Sequence, residues 1–403
     1  MNKLLLLLML SLSFSGLAAT EKYSFERELK NDLKKNVISE SLKKKSLSKN
    51  DALIASKVLY QYYRQKEHEK YLAQWKDEKI TLGDLTMKFF AKIPKNYQKK
   101  SLPLYISLHG GGGAPPKLND QQWKNQKRLY QVNNALYVAP RAPTNSWDLW
   151  HKGHIDKFFA ELIKGAILCY NVNPEKIYIL GYSAGGDGTF QLAPRMADYW
   201  AGAAMMAGHP GDASAMNLLN LYFSIYMGGE DSAYDRNKHA KRWKTKLAKL
   251  AKTYPNCYKH DVEIYKKLGH WMNRKDAVAI KRLAKNRRNS YPKMVFWHQD
   301  NIIHNRFYWL AVPEGAGIAK SEIKAQINGQ KIILKDAKKI KDLIIYLNDE
   351  LVNLDLPVQI IYKNNVLFKG RLPRKIAILN KTLKERYDLC GLYSAEVKIK
   401  LPQ

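Results

Sequence analysis

The chain has 403 residues, 45% hydrophobic and 26% charged, which excludes a wholly disordered or collagen-like protein and leaves room for two or three folded domains. Its 68 Lys and Arg against 36 Asp and Glu give a net charge of +32, so acidic partners are attracted in a salt-dependent way. The basic residues are spread along the whole chain and no usual RNA- or DNA-binding motif is present, so nucleic acid is not expected as a partner. A solvated basic surface and attraction to an acidic polymer, such as a sulfated or uronic polysaccharide, both remain open.

Residues 1–19, MNKLLLLLMLSLSFSGLAA, have the layout of a secretory signal peptide: Lys3, an apolar run from Leu4 to Leu10, and small residues before Thr20. No later stretch is long and apolar enough for a bilayer span. The expectation is therefore a secreted or periplasmic protein without a membrane span. Cys169, Cys257 and Cys390 are far apart and odd in number, which predicts neither a disulfide framework nor a CxxC metal site.

Residues 20–78 lack Gly and Pro, and Ala52, Leu53, Ala55, Val58, Leu59, Tyr62 and Tyr63 recur at helical spacing, predicting an N-terminal helical segment. Over 79–289 strands alternate with helices. Leu85 to Ile93, Leu102 to Leu108, Ala135 to Ala139, Lys176 to Leu180, Gly202 to Ala207, Leu221 to Met227 and Val262 to Tyr265 read as strands. Between them lie a helical stripe from Ile155 to Ile167 and a basic helix with Ala240, Trp243, Leu247 and Leu250 on its apolar face. This alternation predicts an α/β domain with a mostly parallel sheet.

Over 290–403 the pattern becomes short β-rich runs: Met294 to Trp297, Phe307 to Ala311, Glu322 to Ile327, Lys331 to Leu334, Leu343 to Leu347, Val358 to Tyr362, Val366 to Lys369 and Ala395 to Ile399. Asn328-Gly329 is a strong hairpin signal and Asn364-Asn365 a weaker one. A small β-sandwich without a catalytic constellation is expected there.

The α/β region holds four elements of one chemistry. Gly181-Tyr182-Ser183-Ala184-Gly185 follows a predicted strand and leads into a helix-compatible segment, the context in which a G-x-S-x-G serine is exposed on a crowded turn. His109-Gly110-Gly111-Gly112-Gly113 follows another strand, where backbone N–H groups of Gly110, Gly111 and Gly112, with that of Ala184, can stabilise an oxyanion. Strand Leu221 to Met227 ends in Gly228-Gly229-Glu230-Asp231; among Glu230, Asp231 and Asp235, the distance past the strand favours Asp231 as the acid, with Asp235 as a helix cap. Gly269-His270 after the last strand places His270, among ten histidines, as the base. The order Ser183, Asp231, His270 is that of an α/β-hydrolase triad.

The segment Asn171 to Gly186, NVNPEKIYILGYSAGG, resembles the nucleophile region of secreted esterases of the polyhydroxybutyrate-depolymerase and feruloyl-esterase type. It is also similar to prolyl-oligopeptidase-type and carboxylesterase/phospholipase-like catalytic domains. The run Gly181 to Pro210 resembles secreted hydrolases of bacteria that degrade polysaccharides. The resemblance spans His109 to His270, under half the chain. It implies an α/β-hydrolase fold with the N-terminal helices and C-terminal β-domain as additions, and a serine hydrolase that needs no metal or organic cofactor. The expected activity is ester cleavage, on a small ester-bearing molecule or on acyl groups of polysaccharides, acidic glycans among them. A serine peptidase of prolyl-oligopeptidase type, or a glycan- or cell-surface-binding protein with a secondary hydrolase centre, are the alternatives.

Specificity residues are less defined. The loop Arg141 to Gly153 follows a strand and so belongs to the active edge of the sheet. Trp147 and Trp150 either stack on a substrate ring or pack against loops. Arg141 either binds a carboxylate or sulfate or forms a structural ion pair. His209 should rim the site.

Overall fold

The computed structural model describes residues 24–95 and 97–402, so the leader expected over Met1 to Ala19 lies outside the described residues. Three helices come first: α1 (24–34), α2 (Glu40–Lys44) and α3 (Lys49–Lys76). The Ser48 hydroxyl caps α3 by accepting the Asp51 N–H at 3.0 Å. Along α3 the predicted stripe is buried at Ala52, Ala55, Val58 and Leu59, whereas Leu53 faces solvent. No helix among the described residues is long and apolar enough to cross a membrane.

An eight-stranded sheet follows, built from β1 (Lys79–Leu82), β2 (Leu85–Lys92), β3 (Leu102–Leu108), β4 (Leu136–Arg141), β5 (Val172–Tyr182), β6 (Gly202–Met206), β7 (Tyr222–Gly228) and β8 (His260–Tyr265). Its order is β1-β2-β4-β3-β5-β6-β7-β8. Strands β1 and β2 pair antiparallel, as do β2 and β4, and every other pair is parallel. The helices are α4 (Pro116–Leu129), α5 (Gly153–Tyr170), α6 (Ala184–Arg195), α7 (Arg236–Thr253) and α8 (Val278–Leu283).

Alternation along each strand feeds two apolar layers. On β3, Leu104, Ile106 and Leu108 join the layer of α5, α6 and α7. Tyr105 points the other way, into a layer with Tyr137, Tyr178 and the α8 residues Ala279 and Leu283. Because both faces are covered, the central strands read as continuous apolar runs, which is what made them legible in the sequence.

The C-terminal region forms two further sheets. One has five strands, β9 (Met294–His298), β12 (Glu322–Asn328), β13 (Lys331–Lys338), β15 (Val358–Tyr362) and β16 (Asn365–Gly370). The other has four, β10 (Arg306–Phe307), β11 (Leu310–Ala311), β14 (Asp342–Leu347) and β17 (Ala395–Lys400). Trp297 of the first stacks on Phe307 of the second, ring centroids 6.1 Å apart. The single strand expected over Phe307 to Ala311 is instead a hairpin, because Tyr308 adopts a left-handed φ of 52° and turns the chain. The weaker hairpin signal is displaced by one residue: Lys363 and Asn364, at φ 47° and 66°, make the turn. Helix α9 (Ile376–Arg386) was not foreseen among the strands. Its buried Ile376, Leu379 and Leu383 pack it against α3 and β17.

One hydrophobic cluster runs from Phe25 through the α/β body to Leu401. The junction is also polar: buried Asp198 accepts the Tyr308 N–H at 3.1 Å and the Arg386 guanidinium. All three cysteines are free.

Candidate active site

Ser183 stands between the C-terminal end of β5 and the first turn of α6, with φ 57° and ψ −121°. A non-glycine residue in that region is strained and persists only where its surroundings impose it. Here the small neighbours permit the turn: a Cβ on Gly181 would sit 2.1 Å from the Gly185 carbonyl oxygen, and one on Gly185 would sit 2.3 Å from that of Leu108.

His270, in the loop after β8, accepts the Ser183 hydroxyl through Nε2, with Nε2 and Oγ 3.0 Å apart. Its Nδ1–H donates to Asp231 Oδ2 at 2.7 Å. Asp231 is buried at the end of β7, whereas the His270 side chain is 44% exposed. The two competing carboxylates lie apart. Glu230 is exposed. Asp235 stands at the N-cap of α7 without a capping bond and pairs instead with Lys238 at 2.8 Å. A residue not foreseen holds the histidine loop: the Tyr182 hydroxyl donates to the His270 carbonyl at 2.7 Å and accepts the Met272 N–H at 3.1 Å. The signal was present in the G-x-S-x-G motif, whose second position needs a side chain long enough to reach that loop.

The glycine loop lies over Ser183. The N–H groups of Gly110, Gly111 and Ala184 make no hydrogen bond within the described residues. Gly112 departs from expectation: its N–H donates to Asn119 Oδ1 at 2.8 Å and is not free for an oxyanion. Asn119, unnoticed in the sequence, also donates from its amide to the Ala114 carbonyl and to Asn145 Oδ1, each at 3.1 Å. Gly111 has φ +101°, and a Cβ there would meet Asn119 Oδ1 at 2.2 Å, so only glycine fits.

Arg141 does not face the cleft. It is tied to Asp120 at 2.8 Å, to the Ala142 carbonyl at 2.7 Å and to Asn145 Oδ1, so it braces the glycine loop through Asn145 and Asn119. Trp150 is fully buried and donates from its indole N–H to the His109 carbonyl at 2.9 Å; it supports the loop from behind. Trp147, by contrast, is 71% exposed and lines the cleft, and His209 lines it as well.

Two cavities meet at Ser183 and Gly111. The larger, about 950 Å³, runs along Trp147, His209, Asp187 and Arg236. Its wall includes Asp300, Asn301 and Ile302, between β9 and β10, so the C-terminal region, read as lacking a catalytic constellation, still contributes lining residues. The smaller, about 610 Å³, runs along His270, Trp271 and the end of α4. Asp187 lies one turn past Ser183; burial pushes its carboxyl up to about 6, although its Oδ1 accepts the His209 N–H at 2.5 Å.

The sheet order, the two antiparallel edge pairings and the serine turn after β5 together decide the architecture. The chain has the α/β-hydrolase fold. No protein-family model and no curated protein matches the sequence. Solved structures resemble it at a distance. A thermostable esterase is 19% identical with a TM-score of 0.41, over 53% of this chain and 64% of that one, so the chain spans less than two thirds of it. The feruloyl esterase module from Clostridium thermocellum complexed with sinapinate is 15% identical with a TM-score of 0.39, over 52% and 86%. S-formylglutathione hydrolase from Staphylococcus aureus is 14% identical with a TM-score of 0.37, over 49% and 90%. At this distance the likeness carries no activity across, and the chemistry is read from the side chains.

Proposed function

We propose that the protein is a serine hydrolase that cleaves carboxylic esters through an acyl-enzyme. The observation that carries this reading is the hydrogen-bonded chain from Asp231 through His270 to Ser183, at 2.7 and 3.0 Å, beside unpartnered N–H groups. Ser183 Oγ attacks the ester carbonyl as His270 takes its proton, and the carbonyl oxygen becomes an oxyanion facing the N–H groups of Ala184 and Gly111. His270 then protonates the departing alkoxide, which leaves as an alcohol. Water repeats the sequence on the acyl-enzyme and releases a carboxylic acid. Asp231 holds the imidazole in one tautomer and stabilises its cationic form.

Polysaccharide-linked acyl groups are the proposed substrates. The larger cavity supports this: exposed Trp147 and Tyr234 offer aromatic faces on which the acyl half of a feruloylated glycan can stack. Residues 79–289 are taken as the catalytic unit and 290–403 as an accessory unit that completes the cavity. The pattern over Met1 to Ala19 supports action outside the cytoplasm. Ester cleavage is preferred to peptide cleavage because, among the described residues, what surrounds the hydrolase sheet is helices and two small sheets, with no propeller-type gate.

The test is a panel of nitrophenyl acyl esters, feruloylated and acetylated glycans, and aminoacyl amides, with Ser183→Ala as control. Ester turnover that vanishes in Ser183→Ala, together with fluorophosphonate labelling of the wild type alone, is expected. Strong amide cleavage with negligible ester cleavage overturns the esterase assignment.

A further inference from the structure

The two cavities that meet at Ser183 differ in charge. Four carboxylates, Asp148, Asp187, Asp212 and Asp300, line the larger one and outnumber its cations Lys152, Arg195 and Arg236. No Asp or Glu lines the smaller one, which carries two arginines, Arg128 at the end of α4 and Arg274 in the loop after His270. Both are exposed. Arg274 spends one Nη2 proton on the Leu129 carbonyl at 3.2 Å, and Arg128 has no hydrogen bond or ion pair within the described residues. The carboxylate closest in sequence to Arg274, Asp276, is buried and already accepts the Tyr130 hydroxyl at 2.6 Å. The backbone at Arg274 is itself unusual: Asn273 and Arg274 are consecutive left-handed residues, at φ 50° and 61°. Such a pair costs conformational energy and persists where the surroundings impose it.

Proton transfer decides which part of the ester enters this cavity. The leaving oxygen must reach His270 Nε2, and His270 lines the smaller cavity but not the larger. The alcohol half of the ester therefore occupies the smaller cavity and the acyl half the larger. Trp271, 50% exposed, offers an aromatic face for a sugar ring, with Gln122 and Asn125 as amide partners.

We infer that the cavity bounded by Arg128, Arg274 and Trp271 is a subsite for an anionic alcohol half, a sugar bearing a carboxylate or sulfate. The inference rests on the ester-hydrolase reading above and deepens it. Guanidinium groups bind such planar or multi-oxygen anions in preference to neutral hydroxyls, and the net charge of +32 draws an acidic polymer to the surface.

The experiment compares one acetyl group on one hydroxyl of three sugars: galactose, galacturonate and a sulfated galactose. Each kcat/KM is divided by that for nitrophenyl acetate on the same variant, so that general loss of turnover cancels. In the wild type, at least one anionic ester is expected to exceed the neutral one by roughly tenfold or more, the size of a charge-assisted hydrogen bond. Arg128→Gln, Arg274→Gln and the double variant should reduce that ratio stepwise towards one, and added salt should reduce it in the wild type. The galacturonate and sulfate arms tell which anion the site takes. Equal rates on neutral and anionic esters in the wild type, or a preference that survives in the double variant, overturn the proposal. Calorimetry of free galacturonate or galactose sulfate on Ser183→Ala reads the subsite without turnover. Binding there that the double variant loses supports the subsite even if no ester is hydrolysed, an outcome that would sink the hydrolase reading alone.

Discussion

The Nδ1–H of buried His109 donates to the Gly110 carbonyl at 2.6 Å, while its Nε2 accepts the Ala142 N–H at 3.1 Å. The second bond sets the tautomer of the first. Burial also pushes the imidazole down to about 4, so it stays neutral at ordinary pH. In a planar trans peptide the carbonyl of Gly110 and the N–H of Gly111 point in opposite directions. By holding the carbonyl, His109 fixes the orientation of that peptide and with it of the Gly111 N–H. His109→Ala should lower kcat by up to roughly 10²–10³, the cost of one lost oxyanion donor, with a much smaller change in KM. A rise in KM with kcat unchanged would assign His109 a role in binding instead.

Asp231→Asn should keep the loop but favour the wrong imidazole tautomer. The corresponding change in serine proteases costs about 10⁴ in kcat. Glu230→Gln and Asp235→Asn should cost far less, since both carboxylates face solvent. Measuring kcat for the three side by side checks the assignment, and a crippled Asp235→Asn beside an active Asp231→Asn would refute it.

Asp187 supplies a pH signature. Its folded value of about 6 lies above the ordinary carboxylate value near 4, so between those pH values the folded state holds the proton that the unfolded state has released. Stability therefore falls as pH rises through that window, and the full penalty, at most roughly 3 kcal/mol, stands above about pH 6. Asp187→Asn removes it while keeping an acceptor for the His209 N–H. Urea midpoints should show the variant more stable than wild type at pH 7.5 and equal to it near pH 4. A constant difference at both pH values would show that the carboxyl does not titrate in this window.

Asp156 ties α5 to α6 and to the loop between β9 and β10. It receives a bidentate contact from Arg195 at 2.6 and 2.9 Å and a third bond from His304 Nε2 at 2.7 Å. All but a few per cent of the Asp156 and Arg195 side chains is buried, so Asp156→Asn leaves the guanidinium with only Asp300, 3.9 Å away, as counter-charge, at a cost of up to about 3–5 kcal/mol. Denaturant unfolding should register it. Because His304 closes the loop that carries Asp300 to Ile302 into the larger cavity, KM on polymer should rise in the folded variant as well. Unchanged stability would mean that the pair is not the anchor.

The strands of the hydrolase sheet are legible in the sequence, and so is the chain order of the candidate residues Ser183, Asp231 and His270. Strands covered on both faces must be apolar throughout, so β3 could be read to its exact ends, Leu102–Leu108. A serine on a strained turn needs glycines at fixed spacing, so Ser183 was marked by its neighbours, and Asp231 and His270 by their places just past strands. Helix α9 carries no helical signature in the sequence, because its apolar residues bunch in the run Ile376 to Leu379, which does not separate a short helix from the strands around it. Which polar groups are already occupied is legible only after packing. Gly110, Gly111 and Gly112 are indistinguishable in sequence, yet the N–H of Gly112 belongs to Asn119. Trp147 and Trp150 lie three residues apart, and one is exposed to the cleft while the other is sealed beneath the glycine loop. Of the two roles open to Arg141, the ion pair is the one formed, with Asp120 and with Asn145 beside it, and Asp300 to Ile302 reach the cavity from a region whose pattern spoke only of strands. A local pattern reports the backbone that a residue prefers. Whether its hydrogen-bonding groups remain available depends on partners brought from elsewhere in the chain, and these are set only when the whole molecule packs.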